Sequence, residues 1–183
     1  MPLPFNPSLL KSKRLTFTAL TQKDLHPFYE VISHDAVRYP IAFLPKQFNL
    51  KDAENFIHHA EKEMQEKQDL FLSIWDVQNN YMGFAGLHET DHANELEIGY
   101  WLAESEWGKG YATEITQCLC EYAFTLPNVK RLIATTALDN IGSQRVLEKC
   151  GFIQIGTKNR ETTDGDIRPS CLYQKANAKP PQA

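Results

Sequence analysis

The stretch that decides the fold is residues 95–114, which read ELEIGYWLAESEWGKGYATE. Residues 95–102 alternate with a period of two, which predicts a strand whose apolar face holds Leu96, Ile98, Tyr100 and Leu102. From Gly108 onward the period becomes helical, so the strand runs through a short loop into a helix. Unpaired N–H groups and the positive dipole end at the start of this helix favour a diphosphate beside Gly108 and Gly110. The alternative is a tight turn whose glycines only clear a helix–sheet contact.

The segments on either side extend this unit into one α/β layout built around a mixed sheet. Residues 35–48 show no clear period and are expected to be loop with at most one helical turn. The capping patterns predict helices that begin near Thr21, Asn49 and Asn140. The β-rich runs predict strands at 14–19, 70–76, 81–87, 130–136, 152–156 and 167–174.

Length and composition limit the classes of protein. A chain of 183 residues is expected to form one domain that needs neither disulfides nor metal to hold its core. A formal net charge of −4 argues against a broad basic face for nucleic acid. No apolar run approaches the roughly 18 residues of a membrane helix, and the N-terminal MPLPFNPSLL lacks the features of a signal peptide. We therefore expect a cytoplasmic protein that binds neither nucleic acid nor membrane.

The expected boundaries follow from the same patterns. Residues 1–10 are interpreted as an N-terminal arm, residues 11–175 as the single domain, and residues 176–183, which contain Pro-Pro, as a disordered tail. The four cysteines are too few and too scattered to predict a disulfide scaffold.

A second motif, residues 140–152, reads NIGSQRVLEKCGF and opens with an Asn, places a Ser three residues later and ends in Gly-Phe. With GKGYA before it in this order, the chain resembles the GNAT acetyltransferase superfamily, in its RimJ/RimL-like branch, over about residues 11–175. The resemblance implies a GNAT-type domain with a mostly antiparallel sheet of about seven strands and about four helices. It also implies an acetyl-CoA-dependent N-acetyltransferase that moves the acetyl group directly to a primary amine. The alternative is a non-catalytic acyl-CoA-binding module of the same fold.

The resemblance assigns a set of cofactor-binding residues. The pyrophosphate loop of the family falls on residues 107–112, where Gly110 and Ala112 match and Trp107 replaces the usual Gln or Arg. Lys109 is expected to offset Glu104 and Glu106, which should face solvent. The residues implied at the diphosphate are Gly108, Lys109, Gly110, Tyr111, Ala112 and Thr113. Those implied along the pantetheine arm, in a gap between the strands at 95–102 and 130–136, are Tyr100, Trp101, Leu102, Asn140 and Ser143.

Two side chains are candidates for proton transfer. Glu97 lies on the strand face opposite Leu96 and Ile98 and is the candidate base, acting directly or through water; its alternative is a surface carboxylate. Ser143 is the candidate acid toward the departing thiolate, and its alternative is a first-turn helix residue. A base matters more for a lysine acceptor, with a pKa near 10.4, than for an α-amine, with a pKa near 7.7–8.0.

Residues 88–92, HETDH, match the zincin pattern H-E-x-x-H. That chemistry needs both histidines on one helical face, whereas this pentapeptide lies between two strands and is rich in turn formers. We interpret it as a β-turn and expect no metal. The acceptor amine is not identified by any pattern, although His34, Tyr39, Phe43 or His59 could border its groove. The protein is expected to be a monomer or a homodimer.

Overall fold

A computed structural model describes residues 5–66 and 69–177 of the chain. The strands are β1 (Leu15–Ala19), β2 (Leu70–Asp76), β3 (Tyr81–Glu89), β4 (Glu95–Leu102), β5 (Arg131–Ala137), β6 (Ile153–Glu161) and β7 (Ile167–Ala176). The α-helices are α1 (Leu25–Ser33), α2 (Asp35–Arg38), α3 (Leu50–Glu66), α4 (Tyr111–Ala123) and α5 (Ile141–Lys149).

The seven strands form one sheet in the order β1-β2-β3-β4-β5-β7-β6. Every neighbouring pair is antiparallel except β4 and β5, which are parallel and pair only over Glu95–Glu97 and Arg131–Ile133. Beyond these residues the two strands separate, as the resemblance implied. The free edge of β4 at residues 98–102 therefore faces an opening in the middle of the sheet.

Helices cover both faces of the sheet, and the alternation in β4 decides which side chains meet which layer. Leu96, Ile98 and Leu102 belong to the core beneath α4 and α5, together with Leu119 and Leu147. Trp101 belongs to the opposite core, which α1 and α3 cover with Phe28 and Ile57. The predicted assignment of the two faces of this strand is confirmed.

The caps of the helices form from local side chains. The side chain of Asn49 accepts backbone N–H groups from Lys51 and Asp52 at the start of α3. Asp24 accepts the N–H of Thr21 before α1, which is the predicted capping pair. These contacts satisfy N–H groups that a helix cannot satisfy itself, so the helices begin close to the predicted positions.

The structure corrects three details. The helices number five rather than about four within the described residues, because Asp35–Arg38 form the single turn that was allowed for in the loop. Strand β3 continues through His88 and Glu89. Strand β6 runs to Glu161 rather than ending at Gly156, because its residues pair with β7 up to that point. Most of these residues are exposed, so their sequence shows no apolar–polar alternation that could have predicted the longer strand.

The ends of the domain are partly described. Within the interpreted arm, Pro7–Leu9 form a 3-10 turn and Leu10 is buried. Strand β7 includes Ala176, which was predicted to belong to the tail. Residues 178–183 of the predicted tail and residues 1–4 of the arm lie outside the described residues. All four cysteines are buried free thiols. None of the helices in 5–66 and 69–177 has the length and apolarity needed to cross a membrane.

Candidate active site

A cavity of about 440 Å³ lies where β4 and β5 separate. Residues from both layers line it. From the layer of α5 come Asn140, Ser143 and Leu147, and from the layer of α3 come Phe56 and His59. The cavity therefore passes through the opening in the sheet and joins its two faces.

The start of α4 forms a cradle of backbone groups near this opening. Gly108 has φ +75° and Gly110, the residue before the helix, has φ +82°. This left-handed conformation favours glycine, and it turns the chain so that the first N–H groups of α4 have no helical partner. The indole N–H of Trp107 donates to the carbonyl of Leu102 at 3.0 Å. Trp107, which replaces the usual Gln or Arg, thus ties the loop to the end of β4.

Arg14, at the start of the domain, supplies a positive charge beside the cradle that the sequence patterns missed. Its guanidinium lies 4.2 Å from the centre of the Tyr111 ring and donates to the carbonyl of Lys109 at 3.1 Å. It also forms an ion pair with Glu114 at 2.7 Å. Although partial burial opposes ionisation, hydrogen bonds from Ser12 and Arg14 lower the pKa of Glu114 to about 2.

The acidic residues before the cradle are largely as expected. Glu104 is exposed, and Glu106 is half-buried and pairs with Lys109 at 3.1 Å. Lys109 therefore offsets one of the two carboxylates, as the sequence predicted.

Tyr100 and Ser143 meet at the α5 end of the cavity. The hydroxyl of Tyr100 lies 3.1 Å from Oγ of Ser143. Burial raises the pKa of Tyr100 to about 12, so this hydroxyl stays protonated at neutral pH and is available as a donor. Asn140 accepts the N–H of Ser143 at 3.1 Å and caps α5. The sequence placed Ser143 and Asn140 here, but it gave Tyr100 no part in proton transfer.

Glu97 lies on the other side of the opening, at the last residue of β4 that pairs with β5. It lines the cavity on the face opposite Ile98, as predicted, and it is half-buried. No ion pair within 4.0 Å involves it among the described residues. Its carboxylate is therefore available to a ligand in the cavity.

His88 is directly across from Glu97 on β3 and also lines the cavity. Its Nδ1 lies 2.8 Å from Oδ2 of Asp69, whose Oδ1 accepts the N–H of Glu89 at 2.8 Å. Because a carboxylate only accepts, Nδ1 of the neutral ring carries the proton and Nε2 keeps its lone pair. A Cβ at Gly86 would lie 2.6 Å from this Nε2, so Gly86 makes room for the ring.

The geometry of residues 88–92 differs from that of a zincin helix. His88 belongs to β3, whereas His92 follows the strand and lines a separate pocket with Asn94 and Asn128. The turn prediction is therefore wrong for His88 and Glu89. Within 5–66 and 69–177, no group of three or more His, Cys, Asp and Glu side chains is placed to hold a metal.

Aromatic rings form the wall of the cavity on the α3 side. Trp101 stacks on Phe84 with ring centroids 4.1 Å apart. Phe43 and His59, two of the expected groove residues, line the cavity, whereas His34 and Tyr39 do not. Tyr39 instead lies under the guanidinium of Arg168 at 4.3 Å. The aromatic residues lining the cavity are Phe43, Phe56, Phe71, Phe84, Tyr100 and Trp101.

Residues 14–153 match the acetyltransferase (GNAT) domain family. The chain therefore belongs to this family, as its two motifs predicted, and it is an enzyme of the acyltransferase class. It is 30% identical over 148 residues to the uncharacterized N-acetyltransferase YnaD of Bacillus subtilis (strain 168), covering 80% of this chain and 84% of that protein.

Solved structures share the fold over nearly the whole chain. A GNAT-family acetyltransferase from Bacillus anthracis superposes with a TM-score of 0.77 at 25% identity, covering 91% of this chain and 97% of that one. Spermidine N-acetyltransferase from Vibrio cholerae, in complex with CoA and spermine, superposes with a TM-score of 0.75 at 21% identity, covering 88% of this chain and 95% of that one. RimL, a ribosomal L7/L12 α-N-protein acetyltransferase in complex with CoA, superposes with a TM-score of 0.76 at 20% identity, covering 90% of this chain and 95% of that one. The likeness to RimL shows a shared fold, and the RimJ/RimL-like branch stays a prediction from the sequence.

Proposed function

We propose that the protein transfers an acetyl group from acetyl-CoA directly to a primary amine. The observation that carries this proposal is the single cavity through the opening between β4 and β5. The cradle of α4 adjoins one side of the opening, and carboxylate and imidazole groups stand on the other. Such a passage lets a donor and an acceptor meet from opposite faces of the sheet.

The donor side fits acetyl-CoA in its chemistry. The free N–H groups at Gly108–Thr113 match a diphosphate. Arg14 supports this loop by donating to the carbonyl of Lys109, while Glu114 compensates its charge. The unpaired edge of β4 at residues 98–102 can hydrogen-bond the amides of a pantetheine arm, with Asn140 and Ser143 beside it. When bound, acetyl-CoA supplies a thioester carbonyl to which an amine can add.

The reaction requires two proton transfers. A bond forms between the amine nitrogen and the acetyl carbon, the bond between that carbon and sulfur breaks, and the amine loses a proton while the thiolate gains one. We assign the first proton to Glu97, directly or through one water. We assign the second to the Tyr100–Ser143 pair, whose two hydroxyls lie 3.1 Å apart beside the opening.

His88 is a second candidate for the proton of the amine. Its Nδ1 is held by Asp69 at 2.8 Å, which leaves Nε2 without that partner, and it lies across the strand pair from Glu97. An imidazole fixed in this way is a common general base. Comparing the activities of Glu97→Gln and His88→Gln distinguishes which of the two residues acts as the base.

The test is release of free CoA thiol from acetyl-CoA in the presence of a panel of amines, with product confirmed by mass spectrometry. The account predicts amine-dependent release that Tyr100→Phe strongly reduces. Tight acetyl-CoA binding with no release for any amine would instead support the non-catalytic acyl-CoA-binding alternative. Location in the cytoplasm, a monomeric or dimeric state and the absence of nucleic-acid or membrane partners stay predictions from the sequence.

A further inference from the structure

The acceptor side of the cavity contains buried polar atoms that have no partner among the described residues. They are the indole N–H of Trp101, the hydroxyl of Thr135 and Nε of Arg160. All three residues line the same cavity, and Trp101 is only 7% exposed. Buried polar atoms without partners are costly, so this part of the cavity wall is short of hydrogen-bond acceptors.

Arg160 makes the required ligand an anion. Burial, together with the charge of Arg168, lowers the pKa of Arg160, while the charge of Glu97 opposes this shift. No carboxylate among the described residues lies within the 4.0 Å of an ion pair with Arg160. Asp69, the other carboxylate lining the cavity, is occupied by His88 and the N–H of Glu89. A partly buried guanidinium is best satisfied by a carboxylate, which takes two of its N–H groups at once.

The cavity wall thus carries both a carboxylate, Glu97, and a guanidinium, Arg160, which complement the two charges of a zwitterion. Glu97 and His88 stand where an amine would lose its proton, and Arg160 stands where a carboxylate would be held. The rings of Phe56, Phe71 and Phe84 also line the cavity and offer an apolar surface. A polyamine fits poorly, because Arg160 would repel a second positive charge.

Building on the proposed function, we propose that the acceptor is a free α-amino acid with an apolar side chain. Its carboxylate pairs with the guanidinium of Arg160, its amine faces Glu97, and its side chain packs on the aromatic wall. The acetyl group forms an amide with the amino nitrogen as the thioester bond breaks, so acetyl-CoA is the co-reactant and CoA the leaving group.

The test compares kcat/KM for L-phenylalanine and L-leucine with that for their amides, for phenethylamine and for spermidine. We expect the free acids to be preferred, although their amines are more basic and thus less often neutral than those of the amides. Arg160→Gln should lower kcat/KM for the acids by roughly tenfold to hundredfold and change the amides by less than about threefold. Arg160→Lys, which keeps the charge, should recover part of the loss.

Lys158→Gln is the matched control, because Lys158 is an exposed cation two residues away on β6 and its loss changes net charge equally. The ratio of kcat/KM for the free acids to that for the amides should be the same in Lys158→Gln as in the wild type. Equal rates for acids and amides in the wild type, or an equal loss in Lys158→Gln, would overturn the proposal.

Binding separates this proposal from the proposed function. Calorimetric titration of L-phenylalanine into the CoA complex should show binding that Arg160→Gln weakens roughly tenfold to hundredfold. Such binding without acetylation of any amine would refute the proposed function and leave the recognition intact. Acetylation of amines with no Arg160-dependent binding of the amino acid would refute the recognition alone.

Discussion

Gly110→Ala tests the cradle at α4, and the chain offers a matched control in Gly165→Ala. Both glycines have φ +82°. A Cβ at Gly110 would meet the guanidinium of Arg14 at 3.6 Å, an ordinary contact, and one at Gly165 would meet nothing within 4 Å. Gly165 lies in the turn between β6 and β7, away from α4. The two variants therefore carry the same backbone strain at different places.

The magnitude follows from that strain and from the hydrogen bonds of the cradle. An alanine in the left-handed region costs about 1–2 kcal/mol, which at this length lowers Tm by roughly 2–8 °C in either variant. Only Gly110→Ala also disturbs a donor to the diphosphate, and a hydrogen bond to a charged group contributes about 1.5–3 kcal/mol. Its Kd for acetyl-CoA should therefore rise roughly tenfold to 150-fold.

Calorimetric titration with acetyl-CoA measures this difference directly, and thermal unfolding without ligand checks that the two variants are equally strained. We expect Gly165→Ala to bind acetyl-CoA as the wild type does. Unchanged affinity in Gly110→Ala, or the same loss of affinity in both variants, would show that the glycines serve only the turn.

Three further predictions concern proton transfer and the support of the cradle. Tyr100→Phe should lower kcat roughly 10²-fold or more without changing the Kd for acetyl-CoA, and Ser143→Ala should lower it less, as stopped-assay turnover numbers would show. Glu97→Gln should lower kcat/KM roughly 10²-fold to 10⁴-fold, and a larger loss in His88→Gln would transfer the role of base to His88. The pKa of Glu114 is lowered to about 2, so its carboxylate stabilises the fold above the ordinary pKa near 4.3 and this contribution is lost as pH falls toward 2. Denaturant unfolding should show Glu114→Gln less stable by about 1–3 kcal/mol at pH 7, with the gap closing in that acid range; a gap that persists at pH 2 would contradict the assignment.

What the sequence could predict depended on local signals. The period of two in residues 95–102 assigned Glu97 and Ile98 to opposite faces correctly. The glycines before α4 predicted the turn at which Gly110 has a positive φ. Asn140 followed by Ser143 predicted a capped helix, and the N–H of Ser143 does donate to Asn140. Each of these signals lies within a few residues of the feature that it predicts.

The missed residues are brought together by tertiary structure. Arg14 reaches the carbonyl of Lys109 across 95 positions of sequence, and Asp69 reaches His88 across 19. Arg160 lies in the part of β6 beyond Gly156, where exposed residues carry no alternation. His88 was interpreted as a turn residue because the turn formers after it obscured the last two residues of β3.

Acetyl transfer through the opening between β4 and β5 is tested most directly by following the acetyl carbon. Purified protein and acetyl-CoA labelled with ¹³C in the acetyl group are mixed with each member of an amine panel that includes L-phenylalanine. The small molecules and the intact protein are then analysed by mass spectrometry over a single turnover. The account predicts a labelled N-acetylated amine and free CoA in equal amounts, with no acetyl group on the protein at any time. Unchanged acetyl-CoA with every amine, or label that first accumulates on the protein, would contradict it.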